Sequence, residues 1–260
     1  MNFDELDARM RIFETAHDHC VLPGIWMVAR IDGRGFTRLT REVHEFAAPF
    51  DERFRDLMIA TTQHLMSCGF RIAYGYTQSD EISLLFDRDE SAFGRKLRKY
   101  QSILAGEASA AFALALGAHA AFDCRISQLP SEDLVVDYFR WRNEDAHRNA
   151  LSAHCYWRLR SEGNNAAEAT AALDRLSVAE KNELLFRHGT NFNDLPAWQK
   201  RGIGAYWERY DKTACNPKTG AAVTARRRRL RTNPELPMKD EYSAFLRELV
   251  SRTLPQEEAD

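Results

Sequence analysis

The sequence predicts an α+β fold, a ferredoxin-like βαββαβ unit with an appended, mostly helical lobe. Three observations predict it. In the first half, short apolar runs of β type alternate with longer helical stretches in the order βαββαβ. Two of those runs, Ile72–Tyr74 and Ile82–Phe86, flank a polar Thr77–Asp80 turn and read as a hairpin. From about Ser131 the pattern turns mostly helical, so residues 1–130 form one unit and residues 131–260 a lobe packed on it.

Each element has its own reason. Trp26-Met27-Val28-Ala29-Arg30-Ile31-Asp32 is the first strand, stopped by Gly33-Arg34-Gly35-Phe36. A helix follows from about Phe50 to Cys68, with Asp51 and Glu52 at its positive end and Gly69 beyond its last turn. Strands over 70–75 and 81–86 make the hairpin. The next helix, Phe93 to about Gly117, opens on Arg95-Lys96-Leu97-Arg98-Lys99 and continues rich in alanine. Ala121–Gln128 completes the unit as a strand. In the lobe, Ser131-Glu132-Asp133 starts a helix running towards Leu159, ended by Gly163-Asn164-Asn165. Shorter helices at about Ala166–Arg175 and Val178–His188 follow, the second capped by Ser177. Gly189 to Pro196 is a loop and Ile203–Tyr210 strand-like. The charged, proline-bearing remainder is expected to be extended and partly mobile.

Composition narrows the class. The 260 residues are 44% hydrophobic and 28% charged, the balance of a soluble globular protein. No apolar run approaches a membrane span, and the first 25 residues lack a signal-peptide core. Five cysteines in no Cys-x-x-Cys pair fit reduced thiols in a cytoplasm and argue against a zinc site. The histidines show no ligand spacing, and Gly33-x-Gly35 lacks the third glycine of a dinucleotide fingerprint. With a net charge of −2, polyanion binding must come from local basic patches. Two exist, Arg95–Lys99 and Arg226–Arg229 with Arg231. The Arg226 cluster reads equally as a solvated face, whereas Lys96 and Lys99 favour phosphate binding.

Two acids stand out. Asp32 ends an apolar strand just before a glycine, which places a carboxylate at a sheet edge beside backbone that a ligand can approach. Asp80, with Glu81 next to it, sits at the hairpin tip, where it can meet Asp32. Paired hard-oxygen ligands of this kind suit Mg²⁺ and the phosphates it carries. Taken singly, each acid is an ordinary turn residue. Lys96 and Lys99, three apart on the helix after the hairpin, are expected on one side of it and within reach of a polyphosphate. Tyr138, Phe139 and Trp141 lie at helical spacing and read as core before they read as base-stacking groups.

Several motifs together resemble the tRNA-His guanylyltransferase superfamily. They are Arg30-Ile31-Asp32-Gly33-Arg34-Gly35-Phe36, Tyr76-Thr77-Gln78-Ser79-Asp80-Glu81, Phe139–His147, Glu180-Lys181-Asn182-Glu183 and Asn191-Phe192-Asn193-Asp194-Leu195-Pro196. The resemblance implies a polymerase-like palm adding nucleotides to the 5′ end of tRNA in the 3′-to-5′ sense. A nucleoside triphosphate, ATP or GTP, activates the 5′ phosphate; the 3′-hydroxyl of an incoming nucleotide then attacks it. By the same resemblance, Asp32, Asp80 and the Gly33 carbonyl hold two Mg²⁺ ions, and Glu81 is an accessory acid. Ser79, Lys96 and Lys99 would contact nucleotide phosphates, and the N–H groups of Gly33, Arg34, Gly35 and Phe36 could form an anion nest. His147 and Asn149 would contact the tRNA end, with Arg226 and Arg227 as further tRNA contacts. A homotetramer is expected.

The chain also departs from the family pattern. Where dedicated enzymes carry His-Ile-Asn-Asn, it has His147-Arg148-Asn149-Ala150, which resembles the guanylyltransferase-like branch that repairs 5′-truncated tRNA on a template. Ala48 stands where relatives often have lysine, so one phosphate contact is either missing there or supplied by Arg38 or Arg41. The expectation is therefore template-dependent repair. The alternatives are −1 guanosine addition to tRNA-His, a palm-fold nucleotide cyclase, or an RNA-binding module without catalysis.

Overall fold

Alternating apolar residues build the sheet. The computed structural model describes residues 1–215 and 222–251. Strands β1 (Trp26–Gly33), β2 (Ile72–Gln78), β3 (Glu81–Phe86), β4 (Phe122–Leu129), β5 (Ile203–Cys215) and β6 (Ala222–Asn233) pair antiparallel in the order β4-β1-β3-β2-β5-β6. The first four strands have the ferredoxin-like order. The sheet then continues across residue 130, because β5 pairs with β2 through Thr77↔Ile203 to Tyr74↔Tyr206.

The helices are α1 (Phe3–Thr15), α2 (Phe36–Arg38), α3 (Glu52–Leu65), α4 (Leu97–Leu116), α5 (Glu132–Ser161), α6 (Ala166–Leu173), α7 (Val178–Arg187), α8 (Ala197–Arg201) and α9 (Lys239–Ser251). On β1, Met27, Ala29 and Ile31 join a core with Met58 and Leu65 of α3 and Tyr100, Leu104 and Phe112 of α4. Trp26 and Val28 face the other way, against Val135, Val136 and Phe139 of α5 and Tyr242 and Leu246 of α9. This period of two fixes the site, since it turns Arg30 and Asp32 towards α5. A third cluster, including Leu151, Cys155, Leu185 and Phe192, ties α5 to α7 and the loop after it. Among the described residues, no helix is long and apolar enough to cross a membrane.

Two expectations need correction. The helix expected from Phe93 begins at Leu97, because Phe93, Gly94 and Arg95 all adopt positive φ and break the turn before it. The tail expected to be extended and partly mobile contains both β6 and α9. β6 pairs with β5 from Gly204↔Asn233 to Cys215↔Ala222, far past the end of β2, so the two strands form a projecting ribbon. At the N-terminus, α1 forms by a capping box between Asn2 and Glu5, and none of its residues is buried.

Candidate active site

Strand register assembles the acids. Asp32 lies opposite Glu81 of β3 on one side and Asp123 of β4 on the other. Directly opposed residues share a face, so three acids stand in a row facing α5. Asp123 carried no signal in the sequence beyond its place on a strand; only the register sets it beside Asp32. The Gly33 N–H donates to the Asp80 carbonyl at 3.0 Å, which draws the hairpin tip onto the end of β1. Gly33 has no room for a side chain, because a Cβ there would stand 2.6 Å from the Phe36 ring. Phe36 itself is core, packed against Phe54, Phe112 and Phe122.

Glu81 is held by two cations. Arg30 and Arg142, the latter reaching down from α5, both pair with its carboxylate. Arg30 also reaches Asp32 at 3.3 Å, and Arg142 reaches Asp145 at 3.4 Å. Burial and the nearby Arg142 charge lower the proton affinity of Arg30, partly offset by Asp32. Asp80 is in the opposite position. Burial, reinforced by the negative charge of Asp32, holds its carboxyl above the ordinary range, against the hydrogen bond it accepts from the Ser79 hydroxyl at 3.1 Å. Ser79 adopts a φ of 53°, which is what the tight turn demands.

Two cavities meet at this tip. One, of about 440 Å³, is walled by Phe36, Phe46, Phe54 and Trp198. The other, of about 390 Å³, runs under α5 past Arg30, Glu81, Arg142 and Asn149. Both are lined by Ser79 and Asp80. One half-buried carboxylate therefore serves two chambers, each large enough for part of a nucleotide.

Comparison with known proteins bears on this arrangement. Two family models match the chain: tRNAHis guanylyltransferase over residues 7–130, and the Thg1 C terminal domain over residues 133–242. The chain belongs to the tRNA(His) guanylyltransferase (Thg1) family. It is thereby a nucleotidyltransferase. The "Probable tRNA(His) guanylyltransferase" of Drosophila melanogaster is 35% identical over 195 residues, covering 71% of this chain and 68% of that protein. A protein of the same name from Homo sapiens is 34% identical over 215 residues, 78% of this chain and 71% of that one. A bacterial Thg1-like protein solved in complex with GTP matches with a TM-score of 0.73 at 28% identity, covering 96% of this chain and 100% of that one. A further bacterial structure, in complex with ATP, has the same TM-score and identity over 95% of this chain and 100% of that one.

Against this Thg1-family site, the remaining residues picked from the sequence fall into two groups. Asn149 lines the second cavity and donates to Asp145 at 3.2 Å. Arg34 and Gly35 are exposed at the turn after β1. Lys96 and Lys99 are not brought to Asp80. From Glu81, β3 carries the chain about 20 Å away at roughly 3.3 Å per residue, and α4 starts at that far end. There Lys96 precedes the helix and pairs with Asp18 at 2.8 Å, while Lys99 lies over the Phe93 ring. The helical register assumed for the two lysines therefore fails as well. His147 is half-buried against Phe192, and burial with the nearby Arg201 and Lys200 charges lowers its proton affinity. It lines neither cavity. Arg226 and Arg227 are exposed on the ribbon, opposite Asp211 and Tyr210. Phe139 is core as expected, whereas Trp141 is exposed beneath the Arg142 guanidinium. Lys181 reaches Ser152, and Asn182 and Glu183 bond within their own helix.

Proposed function

We propose that this family member is a template-dependent polymerase of the tRNA 5′ end. It would add nucleotides in the 3′-to-5′ direction to truncated tRNA, with ATP or GTP as activating or incoming nucleotide. The observation that carries the reading is the pair of cavities meeting at Ser79 and Asp80, which gives both reacting partners access to one carboxylate. The GTP and ATP in the two bacterial Thg1-like structures support purine triphosphates as ligands.

Among the described residues, no three His, Cys, Asp or Glu side chains cluster to hold a metal by themselves. Two Mg²⁺ ions would therefore be shared between a pair of carboxylates, a main-chain carbonyl and bound phosphates. Asp32 and Asp80 offer hard carboxylate oxygens and Gly33 a main-chain carbonyl. The raised proton affinity of Asp80, due to burial and to Asp32, is the mark of a carboxylate that gains from a cation. When bound, the ions lower the pKa of the attacking hydroxyl and neutralise the triphosphate. Glu81 is spent on Arg30 and Arg142, so it positions the row from behind and locks α5 to the sheet. In the turn after β1, the Gly33 and Arg34 N–H groups are already used on the Asp80 and Ala121 carbonyls. That leaves Gly35 and Phe36 of the four for an anion. The Ser79 hydroxyl can swing from Asp80 to a phosphate oxygen.

Repair is favoured over dedicated −1 guanosine addition by the His147–Ala150 segment. Ala150 is 1% exposed where dedicated enzymes carry asparagine, so that position offers no polar group to a tRNA end. The names of the eukaryotic relatives favour the second reading, guanosine addition to tRNA-His. The exposed Arg226 and Arg227 would hold the tRNA, and a homotetramer would cover the apolar Phe3, Met10 and Phe13 of α1. The free cysteines are in keeping with a cytoplasmic setting.

One experiment separates the readings. Two 5′-labelled tRNAs, one lacking its +1 nucleotide and one an intact tRNA-His lacking −1 guanosine, are incubated with Mg²⁺, ATP and all four nucleoside triphosphates. Extension of the truncated tRNA, with the nucleotide chosen by its pairing partner, is expected. Preferential guanosine addition to tRNA-His would replace repair with the second reading, and extension of neither would refute both.

A further inference from the structure

Four arginines line the two cavities, and three of them are neutralised by acids. Arg30 pairs with Glu81 and Asp32, Arg142 with Glu81 and Asp145, and Arg55 with Asp56 at 2.9 Å and Glu52 at 3.4 Å. Arg41 differs. Its guanidinium donates to the main-chain carbonyls of Phe46 at 3.2 Å, Ala47 at 3.1 Å and Pro49 at 3.2 Å. Among the described residues, no carboxylate forms an ion pair with it. Asp51, whose charge it feels, is occupied by Arg53 at 2.8 Å and by the Ala47 N–H at 2.7 Å.

Placement gives that charge a use. Arg41, Pro49, Phe50 and Trp157 join Ser79 and Asp80 in lining both cavities. The Arg41 guanidinium lies over the Trp157 ring, 4.8 Å from its centroid, so the loop holds its edge and α5 its face. It is carried on a π-helical turn, Leu39–Val43, a geometry that recurs at functional sites. Carbonyl bonds orient a guanidinium without cancelling its charge, and donors remain for a further acceptor. A cation so fixed binds a phosphate at little ordering cost.

We propose that Arg41 is the cation that receives the triphosphate of a bound nucleotide, held at the junction of the two cavities by Trp157 and the Phe46–Pro49 carbonyls. The proposal rests on the nucleotidyl-transfer reading above and names a phosphate subsite within it. The acids lining the two cavities are Asp80 in both, Asp51 in the first, and Glu81 and Asp145 in the second, and Arg41 supplies the charge that keeps a triphosphate from being repelled by them.

Titration calorimetry with inorganic triphosphate and Mg²⁺ tests it, with thermal unfolding measured in parallel. Arg41→Gln is expected to weaken binding by about tenfold or more, the loss of a charge-assisted contact. Arg41→Lys recovers most of the affinity. Arg187→Gln, which removes an arginine paired with Glu183 outside both cavities, stays within about twofold of wild type. Wild-type affinity in Arg41→Gln overturns the proposal. So does equal weakening in Arg41→Gln and Arg41→Lys, which would assign the residue to holding the loop. If Arg41→Gln fails to fold, Trp157→Leu is read instead, since it frees the guanidinium face while leaving the carbonyls in place. Severalfold weaker binding is then expected, and unchanged binding overturns the proposal. A wild-type protein that binds neither triphosphate nor ATP overturns the nucleotidyl-transfer reading and this subsite with it.

Discussion

Replacing Gly33 with alanine tests how the end of β1 delivers Asp32. A Cβ at position 33 would stand 2.6, 2.7 and 2.9 Å from Cδ2, Cγ and Cε2 of Phe36. Carbon atoms prefer about 3.5–4.0 Å, so something has to move. The ring cannot retreat freely, with centroids of Phe122 at 4.9 Å, Phe112 at 5.1 Å and Phe54 at 6.0 Å. Overpacking of this kind costs about 2 kcal/mol, a fall in Tm of about 4–8 °C for a chain of this size. If the backbone yields instead, the shift reaches Asp80 through the 3.0 Å bond from the Gly33 N–H. A misplacement near 1 Å costs about a hundredfold in rate. Calorimetry and single-turnover extension of truncated tRNA measure the two effects. An unchanged Tm together with extension within about twofold of wild type would refute the packing argument.

Other outcomes follow from the same site. Asp80 binds its proton more tightly folded than unfolded, so its stabilising contribution is full in acid and lost as pH rises through the raised folded pKa. Asp80→Asn is therefore expected to raise the Tm of the metal-free protein at neutral pH, to lose that gain near about pH 4, and to abolish extension. A lower Tm at neutral pH would contradict the burial of its charge. For the Glu81–Arg142 pair, a double-mutant cycle with Glu81→Gln and Arg142→Met is expected to show coupling of about 1–3 kcal/mol, and additive effects would remove the lock between α5 and the sheet. Replacing Arg226 and Arg227 by alanine should flatten the salt dependence of tRNA binding, by about one unit of slope per lost phosphate contact, with nucleotide binding unchanged. An unaltered slope would free the ribbon from that role.

Much of the palm was legible because its signals are local. β1 through β4 follow from apolar runs of strand length, and α3 and α5 from acids and caps at their starts. The π-helical turn and β6 left no such trace. An extra residue in a helical turn does not alter composition, and an exposed arginine strand reads as a solvated charge run. For Lys96 and Lys99, spacing along the chain was informative about each other and silent about Asp80.

The sequence by itself determined the order of strands and helices, the placing of Asp32 and Asp80 at strand ends, and the family motifs that hold them. Those depend on side-chain period and turn chemistry, which act over a few residues. Only the tertiary structure decided that Asp123 stands beside Asp32, that Glu81 is spent on Arg30 and Arg142, and that Arg41 keeps its charge where two cavities meet. Register, burial and ion pairing join residues tens of positions apart, and a chain has no neighbours across a cleft until it has folded.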